Sequence, residues 1–143
     1  MGKRLVKAPK LYFTDTGLAT YLMGIHEAES LLKSPNFGSI FETWIVVDVL
    51  KRFFNAGLMP ALYSLRTRDG LETDLVVEMG QKLHFFEIKT AMTVLPKHAA
   101  SITRLMTNSK SQAGGGYVIS RSPGNFKLTA KVQNLNWEST LRI

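Results

Sequence analysis

Cysteine is absent from the 143 residues of the chain, which excludes disulfide frameworks, thiolate nucleophiles, iron–sulfur clusters and thiolate zinc sites. Histidine is nearly as scarce. His26, His84 and His98 show no ligand spacing, and each reads as a surface or satisfied core position. Ser101 and Ser120 have no histidine–acid context to activate them, which argues against serine hydrolase chemistry. The longest apolar run, Trp44-Ile45-Val46-Val47, falls far short of the ~18 residues of a membrane span. The basic start lacks the apolar core and small-residue cleavage site of a signal peptide. No nucleotide-binding glycine–x4–glycine–lysine–serine/threonine run occurs, because Gly114-Gly115-Gly116 lacks the lysine and leads into a strand. The expectation is a cytoplasmic, soluble domain with no membrane partner.

Acid is also scarce at both ends. Residues 1–10 hold Lys3, Arg4, Lys7 and Lys10 without an acid, and residues 90–143 hold seven cations against Glu138 alone. The intervening residues 11–89 carry seven cations and ten acids, so the net charge of +7 lies in the flanks. An acidic middle between basic ends suits a protein that holds a polyanion at its rim and a cation inside. It also suits a domain whose basic faces only keep it in solution.

A length near ~150 residues argues for one domain, and neither a repeat nor a long linker divides it. Residues 1–36 read as a lead-in and 37–143 as the core. Asp15 can cap a short helix carrying Leu18, Ala19 and Leu22. The spacing of Phe41, Trp44, Ile45, Val49, Leu50, Phe53 and Phe54 predicts a helix over 40–54. Strands follow at 61–66, 72–78 and 83–89, joined by Arg68-Asp69-Gly70 and Met79-Gly80-Gln81-Lys82 as turns. Pro96 opens a second helix over 97–108. After the glycines, 117–120 reads as a short strand. Alternation of Phe126, Leu128, Ala130 and Val132 with Lys127, Thr129 and Lys131 predicts a half-exposed strand. The fold class expected is α/β, a mixed sheet built from a three-strand meander and further strands, flanked by helices.

Four charged residues stand where apolar ones are expected. Glu87 and Lys89 share one face of an otherwise apolar strand with Leu83 and Phe85, and charge buried there needs a partner or a metal. If the neighbouring strand pairs through the 79–82 turn, Asp74 comes close to both. Glu42 shares a helical stripe with Ile45, Val46, Val49 and Phe53. It also completes Ser39-Ile40-Phe41-Glu42, a capping box in which the glutamate serves only the helix start. Likewise, a buried salt bridge accounts for Glu87 and Lys89 as well as chemistry does.

The ordered set Glu42, Asp74, Glu87, Lys89, on helix, strand, strand and strand, resembles the restriction-endonuclease-like PD-(D/E)xK nuclease superfamily. That resemblance implies a catalytic set of all four residues, with Asp74, Glu87 and Glu42 as ligands of Mg2+ or Mn2+. Carboxylate oxygens are the hard ligands magnesium requires, the ion activates water for attack on a phosphodiester, and the lysine can orient that water or hold developing charge.

A longer likeness starts at Lys7-Ala8-Pro9-Lys10-Leu11-Tyr12-Phe13-Thr14-Asp15-Thr16-Gly17-Leu18. It continues through Gly38 to Glu42, Ser64-Leu65-Arg66-Thr67-Arg68, Gly70-Leu71-Glu72-Thr73-Asp74 and Glu87-Ile88-Lys89. These runs resemble the uncharacterised C-terminal domain of many predicted prokaryotic AAA-superfamily ATPases. The resemblance implies a restriction-endonuclease-like core, excised from the end of a longer ATPase chain. Thr73 stands where the superfamily name has proline.

The function expected is a Mg-dependent phosphodiesterase of the DNA nuclease kind. Arg66, Arg68, Lys97, Arg104, Lys127 and Lys131 would contact nucleic acid, although a solvated strand end explains Arg66 and Arg68 equally well. The partners expected are nucleic acid, DNA above all, and the AAA ATPase domain of the same longer chain. The alternative is a non-catalytic domain that keeps the nuclease fold to dock a partner protein or nucleic acid.

Overall fold

A computed structural model describes residues 10–67 and 70–140. Arg68, expected to reach phosphates, lies outside the described residues, as do Lys3, Arg4 and Lys7. Two short helices, α1 (Thr16–Leu22) and α2 (Ala28–Lys33), lead into the long α3 (Phe37–Asn55). Asp15 caps α1, its carboxylate accepting from the Leu18 N–H at 3.0 Å. The meander β1 (Ala61–Arg66), β2 (Glu72–Met79) and β3 (Lys82–Lys89) follows. A 3-10 turn at Pro96–Ala99 then runs into α4 (Ala100–Ser109), and the chain closes with β4 (Ala113–Ser120), β5 (Phe126–Lys127), β6 (Val132–Asn136) and α5 (Trp137–Thr140). Among the described residues no helix is long and apolar enough to cross a membrane.

The six strands form one mixed sheet in the order β1-β2-β3-β4-β6-β5. Met79 pairs with Lys82 around Gly80 and Gln81, both at positive φ (55° and 64°), the geometry of a two-residue hairpin turn that follows strand twist. β4 lies parallel to β3, with α4 as the crossover between them, and β6 lies parallel to β4, with the segment containing β5 between them. Strand alternation divides the core into two layers. Leu71, Val76, Phe85 and Val118 meet Ile102 and Leu105 of α4 on one face. On the other, Leu75, Val77, Ile88 and Ile119 meet Phe41, Ile45 and Val46 of α3. The helices therefore sandwich the sheet.

Two expectations are corrected. The three glycines do not precede β4 but lie inside it. A Cβ on Gly116 would sit 2.6 Å from both Ile102 and Met106, and one on Gly114 would sit 2.6 Å from the His84 ring. These glycines are strand residues because neighbours approach too closely for a side chain. The single strand expected over 126–132 is broken after Lys127, because the Leu128 and Thr129 N–H groups both turn back to the Val132 carbonyl. Between β4 and β6 a fully buried polar knot forms. Ser120 Oγ donates to Asn134 Oδ1 at 2.7 Å, and Asn134 Nδ2 donates to Ser122 Oγ at 2.6 Å and to the Gly124 carbonyl at 3.0 Å. Each member has a partner, as burial demands.

Candidate functional site

The regular pairing of β2 with β3 runs from Met79 and Lys82 to Leu75 and Phe86. One step further the same register sets Asp74 opposite Glu87 and on the same face. There side chains join the two strands: Asp74 Oδ2 accepts the Ile88 N–H at 2.8 Å, and the Thr73 hydroxyl donates to the Phe86 carbonyl at 2.7 Å. Lys89 Nζ stands 2.6 Å from Glu87 Oε1. The side chains of Asp74 and Glu87 are only 15 % and 16 % exposed, whereas Lys89 is 38 % exposed. The carboxylates thus form the floor and the ammonium the mouth.

Glu42, from the second turn of α3, reaches the same end of the sheet. Its Oε1 accepts from the Tyr12 hydroxyl at 2.9 Å and from Lys10 Nζ at 2.5 Å, and Lys10 lies 4.0 Å from Asp74 Oδ1. The capping alternative fails here, because α3 begins at Phe37, three residues before Ile40, and Asn36 stands at its cap. Tyr12 and Lys10 are site residues that charge and periodicity did not reveal. The opening run that carries the family likeness contains both.

Burial is the largest influence on the two floor carboxyls. It pushes Asp74 up, with Glu42 adding to the rise, while the Ile88 N–H and the two lysines pull the other way. Glu87 is also raised by burial, against the hydrogen bond from Lys89. For Lys89, burial alone would lower the pKa, but the Glu87 hydrogen bond and the charges of Glu87, Asp74 and Glu42 outweigh it and hold the amine protonated. Burial and the Glu42 carboxylate raise Tyr12, so its hydroxyl stays a donor.

Carboxyls raised in the fold keep protons that the unfolded chain has released. Stability then falls as pH rises from the ordinary value, 3.8 for Asp74, through the folded-state value, and levels off above it. Asp74→Asn removes that titration yet keeps an oxygen for the Ile88 N–H. We expect the variant to equal or exceed the wild type in urea stability near neutral pH, with a shallower pH dependence. A large loss would mark Asp74 as a structural anchor.

Among the described residues no three histidine or acidic side chains are gathered at metal-binding spacing, and Glu42 is engaged by Tyr12 and Lys10. Magnesium nevertheless needs only one or two carboxylates and keeps several waters. The raised, adjacent Asp74 and Glu87 carboxyls fit that requirement, and a zinc cage does not.

The basic residues are spread more widely. Arg66 ends β1 at the site end of the sheet, 3.9 Å from Glu72. Lys97 lies in the turn before α4; with Lys89 it lowers the pKa of His98, after burial. Arg104 is exposed on α4. Lys127 and Lys131 are exposed around β5, three strands from β3, or roughly 14 Å across the sheet. The fold does not bring these two to the carboxylates. Of the histidines, His98 accepts the Leu95 N–H through Nδ1. His84 stacks on Tyr117, and its buried Nδ1 has no hydrogen-bond partner.

Sheet and cluster together define a three-layer α/β domain with Glu87 and Lys89 at the carboxyl end of β3 and Asp74 beside them near the amino end of β2. The chain belongs to the family described as Domain of unknown function (DUF4143), whose model matches residues 37–139. It is similar to two mycobacterial proteins, the uncharacterized protein Mb2031c of Mycobacterium bovis and the uncharacterized protein Rv2008c of Mycobacterium tuberculosis. Each is 36 % identical over 94 residues, 65 % of this chain. The match spans about one fifth of the length of either relative. No solved structure gives a significant match.

Proposed function

We propose that the domain is a Mg-dependent phosphodiesterase of the PD-(D/E)xK kind acting on nucleic acid, with a restriction-endonuclease-like core. The observation that carries this reading is the convergence of Asp74, Glu87 and Lys89 where the β2–β3 pairing ends, with both carboxyls raised by burial. Asp74 and Glu87 would hold the ion, and Glu42 would join them on release from Lys10. When bound, Mg2+ supplies a polarised phosphodiester oxygen and an acidified water. Glu87 fixes the Lys89 ammonium at the open side, where it can orient the attacking water or hold charge on the phosphate. Arg66 and Lys97, on the same end of the sheet, are placed to take flanking phosphates. The size of the relatives supports placing this domain within a longer chain, of which an AAA ATPase would be the other part.

The test is calorimetric titration with Mn2+, run beside a Mg-dependent plasmid-nicking assay. Wild type is expected to bind the ion, to gain thermal stability by mass action and to nick; Asp74→Asn is expected to do none of these. Absence of binding at millimolar Mn2+ would remove the metal site. One observation favours the second reading, a docking domain that keeps the fold without catalysis. Lys10 already sits between Glu42 and Asp74, as a structural ion network would have it.

A further inference from the structure

At the end of the sheet that carries the acid–lysine cluster, on its α3 side, lies an open cleft of about 400 Å³, walled by α1, α2, α3 and the residues that follow β4 and β6. That size falls in the ~300–1,000 Å³ range of small-ligand sites. Its lining is unusually aromatic. Trp44 and Trp137 stand 4.8 Å apart, Phe41 is 6.3 Å from Trp44, and Phe37 is 5.9 Å from Phe41. One cation faces these rings: the Arg121 guanidinium lies 5.2 Å from the Phe37 ring. Trp44 is partly exposed, so ring surface is open to a ligand.

Position relates this cleft to the cluster. β3, β4 and β6 are parallel, and Lys89, Ser120 and Asn136 stand level in their register. Arg121 and Trp137 directly follow β4 and β6, and the Arg121 N–H is bonded to the Ala91 carbonyl, two residues beyond Lys89. On the helix side, Phe41 of the cleft immediately precedes Glu42. The cleft and the cluster thus share the carboxyl edge of the sheet, the usual place for a ligand in an open α/β fold.

We propose that this cleft binds an unpaired nucleobase of the strand whose phosphate sits at Asp74, Glu87 and Lys89. The proposal rests on the phosphodiesterase reading and narrows it to single-stranded or unpaired nucleic acid. Flat aromatic surfaces stack on any base, whatever its sequence, and arginine adds a cation–π contribution and a phosphate partner. A base inside an intact duplex has no free face to offer these rings, so a duplex would engage only the surrounding cations.

The chain has two tryptophans, and both line this cleft, so fluorescence excited selectively at tryptophan reports on the cleft. The experiment titrates the protein, in EDTA to prevent cleavage, with a short oligothymidylate, an abasic strand of equal length and a blunt duplex. Expected are saturable quenching by oligothymidylate and binding weaker by roughly tenfold or more for the abasic strand. Arg121→Ala should weaken the oligothymidylate, and Trp137→Phe should keep affinity while reducing the signal. Equal quenching by the abasic strand or the duplex, or no quenching at all, overturns the proposal. Since no metal is present, this outcome is independent of nicking. A protein that nicks without base-dependent quenching loses the cleft and keeps the phosphodiesterase, and one that quenches without nicking does the reverse.

Discussion

Lys89→Ala is expected to abolish Mg-dependent nicking, by on the order of 10²–10⁴-fold, while leaving the fold nearly intact. The ammonium is 38 % exposed and, among the described residues, paired with Glu87 at 2.6 Å, so after solvent screening its removal should cost about 1 kcal/mol. If the pair were a sealed structural bridge, the same change would strand Glu87 and cost about 3–5 kcal/mol. Lys89→Met keeps the stem's packing and removes the charge alone, so catalytic loss in both variants with little change in denaturation midpoint identifies the ammonium as the working group. A large stability loss, with no wild-type nicking to lose, would establish the structural network instead. The pH behaviour adds a check. The Lys89 pKa is raised in the fold, so its contribution to stability is fully present below the ordinary 10.5 and lost only as pH climbs through the folded value.

The largest effect on stability is expected from Phe85→Ala. Phe85 is 1 % exposed, stands opposite Gly116 on the adjacent strand and packs among the residues under α4. Truncation there should cost about 3–5 kcal/mol, a large part of the ~5–15 kcal/mol that holds a domain together. Gly116→Ala errs in the opposite direction. The added carbon would lie 2.6 Å from Ile102 and from Met106 and 3.2 Å from Val132. Methionine can move aside but buried Ile102 cannot, so about 1–3 kcal/mol should be lost to overpacking. Urea denaturation with an unchanged slope checks both. A Gly116→Ala variant as stable as wild type would show that α4 is free to lift from the sheet.

Both effects depend on a match of large and small residues across strands, and that match was the least legible part of the sequence. Local signals served where structure is local. The spacing of apolar residues gave α3 within three residues at its start, and Gly80-Gln81 gave the hairpin register that faces Asp74 with Glu87 and Lys89. The glycines of β4 misled because glycine is poor in strands on its own account. Only the close approach of α4 and His84 makes it necessary there, and no local pattern records that approach. The alternation over 126–132 was real, but Val132 draws the backbone of Leu128 and Thr129 into a turn. Glu42 stood open between a cap and a site until the structure set Tyr12 and Lys10 against it from thirty and thirty-two residues away in sequence. Thr73 gave no signal of its role, since a buried hydroxyl bonded to the Phe86 carbonyl looks in sequence like any strand threonine.

The buried serines and asparagine between β4 and β6 have a bearing on how the chain aligns itself. Sliding β6 by one residue would place Gln133 or Leu135 where Asn134 now lies, and every side chain of β6 would change face. An apolar strand can tolerate such a slip as a gradual loss of packing. Here the slip would take the Asn134 amide from Ser120, Ser122 and the Gly124 carbonyl, which it now bonds in the buried interior, at about 1–3 kcal/mol for each polar group left unsatisfied. Misalignment is therefore penalised all at once, and the chain has one acceptable setting of β6 against β4. That setting also fixes where the strand ends, so the distance between Arg121 and Trp137 is decided in the core, by three small polar residues that do not line the cleft.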